Sequence, residues 1–195
     1  MRVIKRIQYN SPVILTYALL SLLVLGISAL TAGRSNQLLF MVYRAPPTDP
    51  LTYIRVVGHV LGHADFSHFL GNFLLILLIG PMLEEKYGSI TMLIMIVITA
   101  LVTGISFKVA SFGSLLGASG VAFMLILLSS FVNLKRGMIP LTFILVVIAY
   151  IGQEVYRGFT LNNNVSYLTH IIGGLCGAVL GFYVNKTRME EKDEP

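Results

Sequence analysis

The 195-residue chain is 55% hydrophobic and only 12% charged, with a mean hydropathy of +0.80. A soluble domain carries about 25% charged residues, so most of this surface does not face water. The formal charge of +5 and an isoelectric point near 9.4 do not indicate nucleic acid, because the basic residues punctuate the ends of apolar segments and form no single patch. This composition predicts an all-α integral membrane protein with one compact helical domain.

Six apolar segments follow in chain order: Pro12 to Ala32, His68 to Leu83, Ile90 to Phe107, Leu115 to Val132, Met138 to Ile151, and Val165 to Val184. Each approaches the roughly 20 residues that cross a hydrocarbon core about 30 Å thick. The fifth is short and is expected to tilt. The predicted organisation is a cytoplasmic N-terminus over 1–11, a six-helix transmembrane domain over 12–185, and a frayed, mixed-charge tail over 186–195. Arg2, Lys5 and Arg6 precede the first segment as they would in a signal peptide. Its apolar core is longer than the roughly 7–15 residues of such a peptide, so it reads as a retained span.

Six crossings put both termini on one side. With the N-terminus inside, that side holds Arg2, Lys5, Arg6, Lys86, Lys135, Arg136, Lys186, Arg188 and Lys192. The other side holds Arg34, Arg44, Arg55, Lys108 and Arg157. Nine against five predicts cytoplasmic termini. Cys176 stands alone in an apolar stretch and should pack as a small residue, with no disulfide framework.

The connection from Gly33 to Ser67 is the one long loop. It is rich in apolar residues, from Leu38 to Tyr43 and again from Ile54 to Val60. A disordered loop would not carry them. Short helices lying partly in the outer interface are expected.

Ionisable groups at membrane depth are costly and usually functional. Ser119 lies in Gly117-Ala118-Ser119-Gly120 at the start of the fourth segment. A serine in an apolar helix ordinarily bonds a carbonyl one turn back or lets helices approach. The flanking glycines argue for a sharp turn that leaves backbone N–H groups pointing at a reacting oxygen. His170 precedes Gly173, Gly177 and Gly181, which recur every four residues and line one helix face. Such a face packs very closely on a neighbour. If that neighbour begins at Ser119, the imidazole reaches the serine.

His68 and Asn72 share one face of the second segment. With the Ser119 N–H they are candidate donors to an oxyanion. His59 and His63 have helical spacing too, and with Asp65 and His68 they suggest a metal site. The glutamate of a zinc hydrolase motif is absent, and pinning the loop by hydrogen bonds is the favoured role. Glu84 or Glu85 is expected to bond neighbouring helix ends.

In combination these residues resemble the rhomboid family of intramembrane serine proteases. The likeness rests on His68-x-x-x-Asn72, Gly117-Ala-Ser119-Gly120 and His170-x-x-Gly173-x-x-x-Gly177, with Glu84-Glu-Lys-Tyr-Gly88-Ser89 and Arg55 in support. It covers about Pro12 to Val184. It implies a six-helix bundle of the bacterial type, residing in the inner membrane, and a catalytic dyad of Ser119 and His170. It also implies an oxyanion site of His68, Asn72 and backbone N–H groups. Gly117, Gly120, Phe123, Gly173 and Gly177 would support the site. Substrates would be transmembrane proteins in the surrounding lipid, with no metal or cofactor. Two positions depart from the family: Ile54 stands where a tryptophan is frequent, and Phe123 where a tyrosine is frequent. Two rival readings are a non-catalytic relative that binds membrane clients and a small transporter. Inverted repeats would mark the latter, and the sequence has none.

Overall fold

The computed structural model describes residues 8–110, 113–132, 138–139, 141–149 and 164–193, the last element without side chains for 164–167 and 188–193. The segment 1–7 with its three basic residues, Ser111 and Phe112, Lys135, Arg136 and Arg157 lie outside the described residues. Helices α1 (Pro12–Leu30), α2 (Leu51–Gly58), α3 (Phe66–Tyr87), α4 (Ser89–Ala110), α5 (Ser119–Ser129), α6 (141–149) and α7 (Asn164–Asp193) follow one another. A π-helical turn at Asn36–Phe40 lies between α1 and α2.

Among the described residues, four helices are long and apolar enough to cross a membrane: α1, α3, α4 and the Leu168–Thr187 part of α7. Large apolar side chains cover their outward faces, including Leu19, Leu23 and Leu30 on α1, Leu74 and Leu78 on α3, and Ile90 and Val109 on α4. Polar groups lie inside instead: Ser21, Asn72, Glu84, Thr99, Thr103 and Thr169 are all buried. Apolar outside with polar inside is the pattern of a protein whose solvent is lipid.

Two expectations are corrected. The fourth segment is helical only from Ser119 to Ser129, 11 residues, and not from Leu115. Leu115 instead forms an antiparallel bridge with Val42, its N–H and C=O both bonded to that residue (2.9 and 3.0 Å). The last helix runs on to Asp193, past Val184, so the tail expected to fray is helical over 186–193. Besides the four long helices, α5 is short at 11 residues, and α6 is described over nine.

The helix ends are fixed by specific groups. Pro12 sits at the first turn of α1, where its fixed φ suits a helix and its missing N–H costs nothing. Ser11 makes no side-chain cap. The buried Glu84 carboxylate does so from the far end of α3, accepting from the N–H of Val13 (3.0 Å) and Ile14 (2.9 Å) and from Ser89 Oγ (2.7 Å). An anion there also complements the α1 dipole. α1 closes at its other end on Ala32 and Gly33, both at positive φ, with the Gly33 N–H bonded to Ser28 O at 2.8 Å. Asp65 caps α3 by accepting the His68 N–H at 2.8 Å.

α5 is the hub. Seven of its 11 residues are buried: Gly120, Val121, Ala122, Met124, Leu125, Leu127 and Leu128. α3, α4 and α7 pack around it. The long connection folds against this bundle through α2, whose Val56 carbonyl lies where a side chain on Gly104 of α4 would be, 2.2 Å from that Cβ position. Tyr17 of α1 donates to Val60 O at 2.8 Å, and Arg55 holds the connection together by bonding Leu38 O (2.8 Å) and Asp49 (2.7 Å) while lying over the Tyr43 ring.

Candidate functional site

Two loops meet to present Ser119. Residues 113–118 cannot continue as helix, because Gly113 and Gly117 take φ of 103° and 134°. Only glycine accepts that backbone without strain. The Gly117 N–H donates to His59 O (2.9 Å), and the Ala118 N–H to His63 Nε2 (3.4 Å). These bonds consume the donors just before Ser119, which then opens α5. The first N–H groups of any helix have no partner inside it, so the backbone donors at this end are available to a ligand.

The buried His59 and His63 hold these contacts. His59 Nδ1 bonds Val56 O (3.0 Å) and its Nε2 meets Thr103 Oγ1 (3.2 Å). His63 Nδ1 bonds Leu61 O (3.3 Å). A proton on Nδ1 leaves Nε2 as the acceptor that the Ala118 N–H requires. Burial pushes both imidazoles down to about 4, and for His63 the neighbouring His68 adds to the effect. Both rings are therefore neutral near pH 7. Pinning the loop by hydrogen bonds is what these two residues do.

His68 and Asn72 lie on the other side of Gly117. A Cβ built on Gly117 would sit 2.7 Å from His68 Cε1, 2.9 Å from its Nε2, and 3.8 Å from Asn72 Nδ2. The missing side chain is what lets the backbone come against both donors. Asn72 Nδ2 is buried and has no hydrogen-bond partner among the described residues. A buried unsatisfied donor is costly in a native fold and calls for an explanation; a ligand oxygen beside Gly117 is one. His68 also stacks edge-on against His63, centroids 5.3 Å apart.

α7 reaches the same end of α5. A Cβ on Gly173 would lie 2.2 Å from Gly120 O, and one on Gly177 2.2 Å from Met124 O. The two helices therefore touch backbone to backbone over this length. Gly120 in turn has Thr169 and Thr103 methyl groups 3.3 and 3.1 Å from its Cβ position. His170 follows Thr169 and lies against Phe123, ring centroids 4.3 Å apart at 43°. Phe123 is one turn after Ser119 on α5, so the imidazole lies along the face that Ser119 heads. Ser119 and His170 are both partly exposed, whereas Gly117, Ala118 and Gly120 are buried.

The structure thus gathers Ser119, His170, Phe123, Gly120 and Gly173 on the α5–α7 side, and Gly117, His68 and Asn72 on the α3 side. Thr103 and Thr169 were not singled out from the sequence, although Thr169 adjoins His170 and forms part of the wall around Gly120. Cys176 packs against the core without a disulfide partner. Among the described residues no three His, Cys, Asp or Glu side chains converge as a metal site.

A polytopic helical membrane protein, with a serine and a histidine on two tightly apposed helices, is the class that this architecture defines. A family model described as "Rhomboid domain" matches residues 50–187. The chain belongs to the rhomboid family. It is similar to "Rhomboid protease GlpG" of Haemophilus influenzae, 24% identical over 183 residues that cover 89% of this chain and 92% of the relative. It is also similar to mouse "Rhomboid-related protein 2", 30% identical over 158 residues, covering 70% of this chain and 52% of the relative. "Rhomboid-related protein 1" of Caenorhabditis elegans is 28% identical over 151 residues, covering 72% and 42%. The chain thus spans about half the length of the two animal relatives.

Proposed function

We propose that the protein is an intramembrane serine endopeptidase that cleaves transmembrane segments of other membrane proteins. The observation that carries this reading is the backbone contact of Gly173 with Gly120, together with the His170–Phe123 ring contact beside Ser119. It supports His170 as the base for the Ser119 hydroxyl. In the acylation step Ser119 Oγ attacks the scissile carbonyl carbon and its proton passes to His170. The C–N bond then breaks, and His170 gives that proton to the leaving amine. Water, activated by the same imidazole, hydrolyses the acyl-enzyme.

The negative charge on the carbonyl oxygen needs fixed donors. The unsatisfied Asn72 amide, the His68 imidazole and the N–H groups that open α5 meet that need around Gly117. The reading includes six crossings with both termini in the cytoplasm of a bacterial cell. α5 and α6 are then the two short crossings, and the site lies towards the outer side.

The test is labelling with a fluorophosphonate probe in detergent micelles, alongside cleavage of a model transmembrane substrate. Wild type is expected to label and cleave, and Ser119→Ala and His170→Ala to do neither while remaining folded. Folded wild-type protein that neither labels nor cleaves would favour a client-binding relative instead.

A further inference from the structure

Lys86 and Tyr87 close α3 at the end of the bundle opposite Ser119. They are chain neighbours with different partners. The half-buried Lys86 ammonium donates to Phe131 O (3.2 Å) and to Val132 O, in the turn that closes α5. A cation there meets the negative end of the α5 dipole. The buried Tyr87 hydroxyl accepts from Nδ2 of the buried Asn185 on α7 (2.9 Å). The same Nδ2 donates to Gly181 O at 2.7 Å, one turn back along α7. The Lys86 ammonium also lies over the Tyr87 ring, 4.9 Å from its centroid.

These contacts form a closed circuit through three helices. The Phe131 ring fills the notch left by Gly181, where a Cβ would lie 2.8 Å from Phe131 Cδ2. Lys86 holds the carbonyl of Phe131, while Tyr87, through Asn185, holds that of Gly181. Two successive residues of α3 therefore clasp the α5–α7 contact from both sides. Gly173 and Gly177 bring α5 and α7 backbone to backbone. A glycine face allows close approach, but it has no side chains to key one helix axially on the other. Hydrogen bonds at the far end do, because each holds donor and acceptor within about half an ångström of one distance. A helix rises about 1.5 Å per residue, so Phe131 is about 18 Å along the chain axis from Ser119, and Asn185 about 22 Å from His170. A slip of either rod at the clasp arrives at the other end.

We infer that Lys86 and Tyr87 are positioning residues for Ser119 and His170, setting the axial register of α5 against α7 from the opposite end of the bundle. The effect on the reaction rests on the peptidase reading; the register does not.

The experiment uses the full chain in detergent micelles. Tyr87→Phe removes the hydroxyl, and Lys86→Met keeps the stem but removes the donors. Lys86→Arg keeps a cationic donor for the α5 carbonyls, and Glu85→Gln, exposed on the same turn, is the control. The chain has four histidines, so a histidine-selective NMR spectrum is sparse, and His170→Ala assigns the His170 signal. That imidazole feels the Phe123 ring 4.3 Å away. Well below each melting temperature, the His170 signal is expected to shift in Tyr87→Phe and Lys86→Met. It should keep its wild-type position in Lys86→Arg and Glu85→Gln, with the His59 and His63 signals unmoved throughout. Lost stability alone would not move one imidazole and spare two others. In the peptidase assay the two shifted variants should lose about 10–100-fold in kcat at unchanged KM, the scale of a small misplacement at a reacting centre. An unmoved His170 signal in Tyr87→Phe and Lys86→Met overturns the inference, whatever happens to activity. A shifted signal in a chain that cleaves nothing supports the register and overturns the peptidase reading alone.

Discussion

At the scale of single residues, the region around Ser119 depends on atoms that are missing as much as on those present. Gly117 has no side chain, and its backbone approaches His68 and Asn72 for that reason. Gly117→Ala would place a methyl 2.7 Å from the imidazole on a backbone at φ 134°, so either the loop or His68 must move. We expect substrate cleavage to be lost while the protein remains folded, as read by circular dichroism and a peptidase assay side by side. Asn72→Ala removes a donor that has no structural partner to disappoint. It should lower kcat about 100–1,000-fold, the usual cost of one oxyanion donor, and leave thermal stability nearly unchanged. A large fall in melting temperature would instead make Asn72 a structural residue.

At the scale of elements, α5 and α7 are one unit held by glycine. Gly173→Ala and Gly177→Ala each drive a methyl into a backbone carbonyl at 2.2 Å. Overpacking of this kind costs about 1–3 kcal/mol, and equilibrium unfolding in mild detergent should show similar losses for both. The effect on peptidase activity should differ, because Gly173 abuts Gly120 beside Ser119 whereas Gly177 meets Met124 one turn deeper. Equal activity losses would detach the helix spacing from the chemistry. The four-residue glycine spacing made this contact legible in the sequence, and the four-residue spacing of His68 and Asn72 likewise put those two side chains on one face of α3.

Other features were hidden from a reading of apolarity. Leu115 and Leu116 look like the start of a span, but Leu115 spends its backbone bonds on Val42, a partner 73 positions earlier that periodicity does not reveal. α7 passes Val184 because Lys186 to Asp193 are mostly good helix formers, and charge by itself does not end a helix. The walls of Thr103 and Thr169 around Gly120 arise from tertiary packing, with no local pattern to announce them.

At the scale of the whole molecule, two neutral histidines tie the long connection to the bundle. His59 and His63 are held at about 4 by burial, against an ordinary value of 6.5. Between these values the unfolded chain binds protons that the folded chain refuses. Their contribution is therefore full above about pH 6.5 and is lost as pH falls towards 4, at a cost on the order of 3 kcal/mol for each. The melting temperature should drop between pH 7 and pH 5. His59→Gln, which keeps a hydrogen-bonding side chain without titrating in this range, should flatten that slope. An unchanged slope would move the origin of the acid sensitivity elsewhere. Asp49 has the same sign in a lower window: the Arg55 hydrogen bond holds its carboxyl below the usual range, so the pair persists between pH 7 and pH 5 and is lost only in more acid solution.

The Glu84 carboxylate has a consequence for how the chain is made. The amides of Val13 and Ile14 find their acceptor 71 and 70 residues later in the chain. Ribosomes add about 5–20 residues per second, so the start of α1 waits roughly 4–14 s for Glu84 to be synthesised. During that interval the first helix has a lipid-compatible body but an unfinished polar end. Its final depth is settled only when α3 arrives, and the two helices then mature together as a hairpin whose closing latch is the last acidic turn of α3.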